Sequence, residues 1–327
     1  MTRPAPRLRR PAGDARRSSG SSAVTMSERA LPVADGVRPP WDGQVEGSLF
    51  VRRGPSGAGE PALFVHGLGG SSVNWTDLVA LLGEALDCHA IDLPGFGRSA
   101  PPADDRYTVG AHARAVVGHL EASGRGPVHL FGNSLGGAVS LRVAADRPDL
   151  VRTLTLVSPA LPHLRPQRGS DPRLALMVLP GLSGLVSKKM AAVSPEARAK
   201  AVLDLCFADP STIPAQRMQE AVDEVRRRAS LPYGTDAFTR SLRGLIGSYL
   251  VRGERSPWAR AEQVAAPTLI VWGTEDRLVD VALAPRAAAA VRDSRLLVLS
   301  AVGHVAQMER PELVARAFLG MLEELAG

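Results

Sequence analysis

Three residues of the sequence have the types and placement needed for nucleophilic catalysis at a carbonyl group. Ser134 lies between Gly132 and Gly136 in the pattern G-x-S-x-G. A serine hydroxyl acts as a nucleophile only when it is exposed, when a base takes its proton and when donors meet the developing oxyanion. Glycines two residues on either side of a serine let strand and helix backbones approach closely around it. The pentapeptide alone also fits a glycine-rich turn, so other residues must support the interpretation.

Asp276 and His304 supply the acid and the base at the positions where a sheet would bring them to Ser134. Each of the three residues follows a predicted strand, and these strands cover 128–131, 268–272 and 295–299. Sites in open α/β sheets form at the carboxyl ends of the strands. The order along the chain is therefore Ser, Asp, His.

The elements around these residues alternate between strand and helix. Four strand–helix units precede residue 158, and the alternation returns at residue 268, which predicts an α/β fold with a mostly parallel, doubly wound sheet. Between Ser158 and Thr268 the sequence predicts helices and no convincing strand. We therefore expect a leader over 1–42, a core over 43–160 and 262–327, and a helical cap inserted over 161–261. The predicted cap helices cover 173–179, 195–208, 215–229 and 235–250.

Charge is concentrated in the leader. The net charge is +6, and the first 25 residues, with six arginines and one acid, account for +5 of it. The leader lacks interleaved aromatic residues, so we expect either a disordered arm or a misassigned upstream start with Met26 as the true initiator, and no nucleic-acid partner. The remainder of the chain is nearly neutral.

Composition predicts a cytoplasmic protein without a membrane span. The hydrophobic fraction is 45%, no apolar run approaches the roughly 20 residues that span a bilayer, and the leader lacks the apolar segment of a secretory signal. Cys88 and Cys206 offer neither a disulfide framework nor a metal site. We expect no cofactor and no metal, and we assign structural roles to the histidines within predicted strands and helices, namely His89, His112, His119 and His129. The oligomeric state is left open.

Five motifs together resemble the α/β-hydrolase superfamily over nearly the whole chain from about residue 43. They are H-G-L-G at 66–69, D-L-P-G-F-G-R-S at 92–99, G-N-S-L-G-G at 132–137, G-T-E-D at 273–276 and G-H at 303–304. Their order and spacing match that superfamily, in which the triad runs Ser, Asp, His. The resemblance implies an α/β-hydrolase sheet with an inserted helical cap.

The resemblance also implies a role for each site residue. His304 would accept the proton of Ser134 and return it to the leaving group, and Asp276 would orient the imidazole. Glu275 and Asp280 are alternative partners for the histidine. The oxyanion would be bound by the backbone N–H groups of Leu68 and Leu135, and His66 would be structural.

A serine at position 134 disfavours the epoxide hydrolases and haloalkane dehalogenases of the superfamily, which have an aspartate there. The most favoured function is hydrolysis of a carboxylic ester of a small or medium hydrophobic substrate, bound by apolar residues that include Trp75, Phe96 and Phe238. A carbon–carbon bond hydrolase and a cofactor-free perhydrolase with the same triad are alternatives. A non-catalytic ligand-binding protein on the same fold is a second alternative.

Overall fold

The computed structural model describes residues 23–33, 36–55, 59–163 and 193–327. Its centre is one eight-stranded sheet in the order β1-β2-β4-β3-β5-β6-β7-β8. Strands β1 and β2 are antiparallel to their neighbours and the other six are parallel. The strands are β1 (Gly43–Glu46), β2 (Leu49–Arg53), β3 (Glu60–Val65), β4 (Leu86–Asp92), β5 (Val128–Asn133), β6 (Val151–Val157), β7 (Thr268–Gly273) and β8 (Ser294–Leu299).

Helices connect the parallel strands and also follow β6. They are α1 (Thr76–Leu82), α2 (Val109–Ser123), α3 (Leu135–Asp146), α4 (Pro195–Cys206), α5 (Ala215–Ser230), α6 (Gly234–Tyr249), α7 (Pro257–Gln263), α8 (Ala284–Ala290), α9 (Ala306–Glu309) and α10 (Pro311–Ala326). Local signals set their ends: Thr108 caps α2 by accepting the N–H of Ala111, and Ser194 caps α4 in front of Pro195. None of the helices in the described ranges is long and apolar enough to cross a membrane.

The sheet is covered on both faces, which confirms the predicted α/β class. Helices α2, α3, α7 and α8 contribute to one apolar core. Helices α1 and α10 contribute to the other, where Phe64, Phe131 and Phe318 pack together with ring centroids 4.3 and 4.8 Å apart. Strands β5 and β7 are buried along their whole length, as central strands covered on both faces are, and most of their residues are apolar.

Within the segment predicted to form the cap, the described residues 193–261 contain helices α4 to α6, the first part of α7 and no strand. The helix predicted over 173–179 lies outside the described residues. A buried ion pair joins this segment to the core: Arg217 of α5 donates to both carboxylate oxygens of Asp77 in α1, at 2.8 and 2.9 Å. The domain boundaries remain predictions.

Candidate active site

Ser134 occupies a sharp turn between β5 and α3. Its backbone has φ 54° and ψ −117°, a conformation that residues with a side chain rarely adopt. The turn is held by two backbone hydrogen bonds, from Ser134 N to the carbonyl of Val157 and from Ala160 N to the carbonyl of Ser134. Strain of this kind persists only where the surrounding structure enforces it, and it is common at functional sites.

Gly132 and Gly136 are required by close packing around this turn. A Cβ on Gly132 would lie 2.4 Å from the carbonyl oxygen of Gly136, and a Cβ on Gly136 would lie 2.2 Å from that of Val65. Neither neighbour is a flexible side chain. The two glycines therefore allow α3 to pass close to the ends of β3 and β5, as the G-x-S-x-G pattern predicts.

The loop after β3 lies beside Ser134. A Cβ on Gly67 would be 3.1 Å from the Cβ of Ser134. The loop is held by His66, which is fully buried: its Nε2 accepts the N–H of Leu93 at 2.9 Å, so Nδ1 carries the proton and donates to the carbonyl of Gly67 at 2.7 Å. Burial lowers the pKa of His66. Both ring nitrogens are thus engaged in shaping the loop.

Leu68 and Leu135 have backbone N–H groups in the neighbourhood of the serine. Leu135 is the first residue of α3, where N–H groups have no partner within the helix. No hydrogen-bond acceptor for the N–H of Leu68 occurs in the described part of the chain. Unpaired N–H groups at the N-terminus of a helix, such as that of Leu135, attract anions.

His304 and Asp276 are in direct contact. Nδ1 of His304 lies 2.9 Å from Oδ2 and 3.0 Å from Oδ1 of Asp276, and both side chains are buried. Burial alone would raise the pKa of Asp276, but the charge and hydrogen bond of His304 and the backbone N–H groups of Leu278 and Val279 lower it overall. A carboxylate only accepts hydrogen bonds, so the proton lies on Nδ1 and Nε2 is left as an acceptor.

The His304 loop is tied to three other parts of the chain. Nδ2 of Asn133 donates to the carbonyl of His304 at 3.1 Å, and the N–H of His304 donates to the carbonyl of Cys206 at the end of α4, at 2.7 Å. The carboxylate of Glu309 accepts the N–H groups of Gly303 at 2.7 Å and Ala208 at 3.0 Å. The position of the imidazole thus depends on β5 and on the segment after α4.

Two side chains from α5 and α6 cover the loop beside Ser134. The guanidinium of Arg228 donates to the carbonyl of Gly69 at 3.0 Å and lies over the ring of Phe238, 5.4 Å from its centroid. A Cβ on Gly69 would lie 2.9 Å from the ring of Phe238. Burial lowers the pKa of Arg228. The segment predicted to form a cap therefore contacts the loop that contains Leu68.

The three predicted substrate-binding residues occupy different environments. Phe238 lies against the loop, as just described. Phe96 is 3% exposed and packs edge-on against His66 with ring centroids 5.7 Å apart. Trp75 is fully buried in the other core, 5.4 Å from the ring of Phe64, so its surroundings give a pocket role no support.

Sequence reasoning did not find Arg228 or Glu309, and it assigned no contact to Asn133. Arg228 is one of three consecutive arginines in an amphipathic helix, where a solvent-exposed role is the ordinary expectation. Glu309 follows His304 by five residues, and only the turn between them brings its carboxylate back to the N–H of Gly303. Proximity to the G-x-S-x-G motif was the one signal available for Asn133.

Comparison with known proteins places the chain in a family. Residues 61–311 match the family described as the alpha/beta hydrolase fold, and the chain belongs to that family. A meta-cleavage product hydrolase from Pseudomonas fluorescens IP01 has a similar structure, with a TM-score of 0.69 at 18% identity, covering 88% of this chain and 98% of that one. This likeness concerns the fold.

Three relatives differ in activity. The chain is 30% identical over 261 residues to the dihydrolipoyllysine-residue acetyltransferase component of an acetoin cleaving system from Cupriavidus necator, covering 80% of this chain and 62% of that relative. It is 26% identical to the monoacylglycerol lipase abhd6-B of Xenopus laevis, covering 84% and 79%. It is 28% identical to a 2-hydroxy-6-oxononadienedioate/2-hydroxy-6-oxononatrienedioate hydrolase of Pseudomonas, covering 86% and 94%. Family membership supports a hydrolase and leaves its substrate open.

Proposed function

We propose that the protein is a serine hydrolase that cleaves a carboxylic ester through an acyl-enzyme, with Ser134, His304 and Asp276 as its triad. The observation that carries the proposal is the contact of His304 Nδ1 with both oxygens of Asp276, in a chain whose serine occupies a strained turn after β5. The contact would hold the imidazole in the tautomer that accepts a proton at Nε2. Glu275 is exposed, and Asp276 is the carboxylate in contact with His304.

In the proposed reaction, Ser134 Oγ attacks the ester carbonyl while Nε2 of His304 takes the hydroxyl proton. The backbone N–H groups of Leu68 and Leu135 bind the resulting oxyanion. The C–O bond to the alcohol then breaks, and His304 returns the proton to the departing oxygen. Water, deprotonated by His304, attacks the acyl group in the second half, releases the acid and restores Ser134.

The proposed substrate is small or medium-sized and hydrophobic, bound beneath a cap formed by residues 161–261. Support comes from the contact of Arg228 and Phe238, two residues of the proposed cap, with Gly69, which directly follows Leu68. Phe96, on the loop that contacts His66, is a second candidate for the apolar wall. The name of the Xenopus relative, a monoacylglycerol lipase, agrees with an ester of this kind.

A carbon–carbon bond hydrolase is the alternative that a specific observation favours. The Pseudomonas relative with 28% identity is named a 2-hydroxy-6-oxononadienedioate/2-hydroxy-6-oxononatrienedioate hydrolase, and this name is the observation in favour of the alternative. The same triad would serve both reactions, because each passes through attack on a carbonyl carbon. Perhydrolysis and ligand binding without catalysis have no observation of this kind in their favour.

The decisive experiment combines covalent labelling with a substrate panel. A serine-directed fluorophosphonate should label the parent chain at Ser134 and leave Ser134→Ala unlabelled. The panel contains nitrophenyl esters of increasing acyl length, a lactone, an anilide and a vinylogous ring-cleavage diketone, each with Ser134→Ala as blank. Preference for an ester supports the proposal, and preference for the diketone supports the alternative. A folded parent chain that is neither labelled nor active on the panel would instead indicate a ligand-binding protein.

A further inference from the structure

A second polar cluster lies on the α2 face of the sheet, apart from the candidate active site. It consists of Glu46 at the end of β1, His89 on β4 and His119 on α2. One potential metal-binding atom of each residue lies within 4.8 Å of the others. His112, near the start of α2, contacts Ser241 of the cap segment. His119 is seven residues further on, about 10 Å along the helix, and takes no part in the proposed hydrolysis.

Both histidines of this cluster have a buried ring nitrogen without a partner. His89 is 4% exposed and His119 is 7% exposed. Nδ1 of His89 and Nε2 of His119 have no hydrogen-bond partner in the described ranges. Buried polar atoms are almost always satisfied, so an unpaired nitrogen on each of two neighbouring imidazoles calls for an explanation. A shared cation would satisfy both.

The donor types of the cluster suit a cation. An imidazole nitrogen is the commonest protein ligand of transition metals, and a carboxylate supplies a charged oxygen.

We propose that Glu46, His89 and His119 form a binding site for one divalent transition-metal cation of the zinc type. Two neutral imidazoles and one carboxylate are ligands that Zn²⁺ binds at about 2.0–2.2 Å, usually in tetrahedral geometry, with water able to take the fourth position. The three potential ligand atoms lie within 4.8 Å of one another, so side-chain movement would bring them to such an ion. Hard cations such as Mg²⁺ and Ca²⁺ prefer all-oxygen sites.

Neighbouring charges leave room for the cation. Arg53 donates to Glu46 only through Oε1, at 2.7 and 3.1 Å, so Oε2 is the oxygen available to an ion. Arg125 is paired with Asp87, which offsets its charge. The half-buried Glu46 gives the cluster its access from solvent.

The ion would join three elements that are distant in sequence. β1 is the edge strand and pairs only with β2 in the described sheet. Coordination by Glu46 would tie this edge to β4 and to α2 through the two histidines. A ligand that binds the folded and not the unfolded chain raises the unfolding temperature in proportion to the logarithm of its concentration. We therefore assign the site a structural role.

The test uses the full chain after treatment with a chelator. Calorimetric titration with Zn²⁺ should give one ion per chain, and Co²⁺ should produce visible absorption bands of a nitrogen- and oxygen-ligated ion. His119→Gln should weaken Zn²⁺ binding by about 100-fold or more, since even indirect partners of metal ligands account for 10- to 100-fold in affinity. Glu46→Gln, at a partly exposed position, should weaken it by at least about tenfold.

Glu60→Gln is the matched control, because Glu60 pairs with a single buried histidine, His129, whose Nδ1 already contacts Thr153. This variant should bind Zn²⁺ as the parent does. Absence of saturable binding to the parent, or parent-like binding by both Glu46→Gln and His119→Gln, would overturn the proposal. Nitrophenyl ester hydrolysis by the metal-free chain should equal that of the loaded chain, so the test is independent of the proposed hydrolase activity.

Discussion

Nδ2 of Asn133 donates to the backbone carbonyl of His304 across 3.1 Å, although 171 residues separate them in sequence. The same amide donates to the carbonyl of Val157 at 3.1 Å. The residue before the proposed nucleophile thus links the end of β5 to the end of β6 and to the loop of the proposed base. The relative position of Ser134 and His304 therefore rests partly on this side chain.

We expect Asn133→Ala to lower kcat by about tenfold, which corresponds to the loss of roughly one hydrogen bond that positions the base. KM should change little, because Asn133 is buried and contacts backbone rather than the proposed pocket. Asn133→Asp keeps the shape but places an acceptor against two carbonyl oxygens, and it should lower kcat further. Steady-state kinetics on a nitrophenyl ester measures both. Equal kcat for parent and both variants would contradict the inferred role.

Asp276→Asn should lower kcat by about 10⁴, the magnitude known for the orienting aspartate of a serine protease. The amide of the variant can either donate to or accept from Nδ1 of His304. It therefore does not fix the tautomer in which Nε2 is able to accept a proton. Glu275→Gln is the matched control, because Glu275 is the adjacent exposed carboxylate. This variant should hydrolyse the ester at the parent rate. A larger loss of kcat in Glu275→Gln than in Asp276→Asn would show that Asp276 is not the acid of the triad.

Glu309→Gln should reduce kcat by about tenfold, because a neutral amide with one carbonyl oxygen replaces the two carboxylate oxygens that accept the N–H groups of Gly303 and Ala208. The change loosens the His304 loop from the segment after α4. Glu312→Gln, three residues further on in the first turn of α10, serves as control and should leave kcat unchanged. Equal kcat values for the two variants would contradict the inferred role of Glu309.

Arg228→Met should lower kcat/KM by about tenfold through the lost contact with Gly69, since hydrogen bonds to charged groups contribute roughly 1.5–3 kcal/mol and a substitute apolar contact recovers part of this. The exposed neighbour Arg226 pairs with Glu196 and Asp223 on the surface, so Arg226→Met should be neutral. Kinetics over esters of increasing acyl length measures both variants. An effect that grows with acyl length would assign Arg228 to the substrate pocket as well as to the loop.

Stability should fall as the pH decreases from about 6.5 towards 4, because buried histidines resist protonation. Burial lowers the pKa of His112 to about 3 and that of His89 to about 4. A histidine whose pKa is lower in the folded than in the unfolded state stabilises the folded state at pH values above the unfolded pKa. This contribution is lost as the pH falls towards the folded pKa. Keeping His112 neutral at pH 5 should cost about 2 kcal/mol relative to pH 7, from roughly 1.4 kcal/mol per pH unit.

His112→Gln should therefore show a flatter dependence of the free energy of unfolding on pH than the parent, by about that amount. Urea unfolding at pH 5 and pH 7 measures the difference. Parallel slopes for parent and His112→Gln would remove His112 as the source.

The class of fold was predictable because each element has its own local signal. Apolar runs such as that of β5, caps such as Thr108 and Ser194, and the glycines around Ser134 all act over a few residues, so the sequence alone predicts the doubly wound sheet and the strained turn. The choice of Asp276 and His304 as partners of Ser134 followed from the rule that sites form at strand ends. The edge strand β1 was missed, since Gly43–Glu46 is too short and too exposed to show a pattern.

Tertiary structure decided which side chains meet across long separations. Several contacts join elements whose spacing is set by packing rather than by local sequence. They are Asn133 with His304, Glu309 with Ala208, Arg228 with Gly69, and the cluster of Glu46, His89 and His119. Trp75 shows the same limit in reverse, because only its burial beside Phe64 distinguishes a core residue from a pocket residue. Local periodicity determines what an element is, and the sheet order determines what it touches.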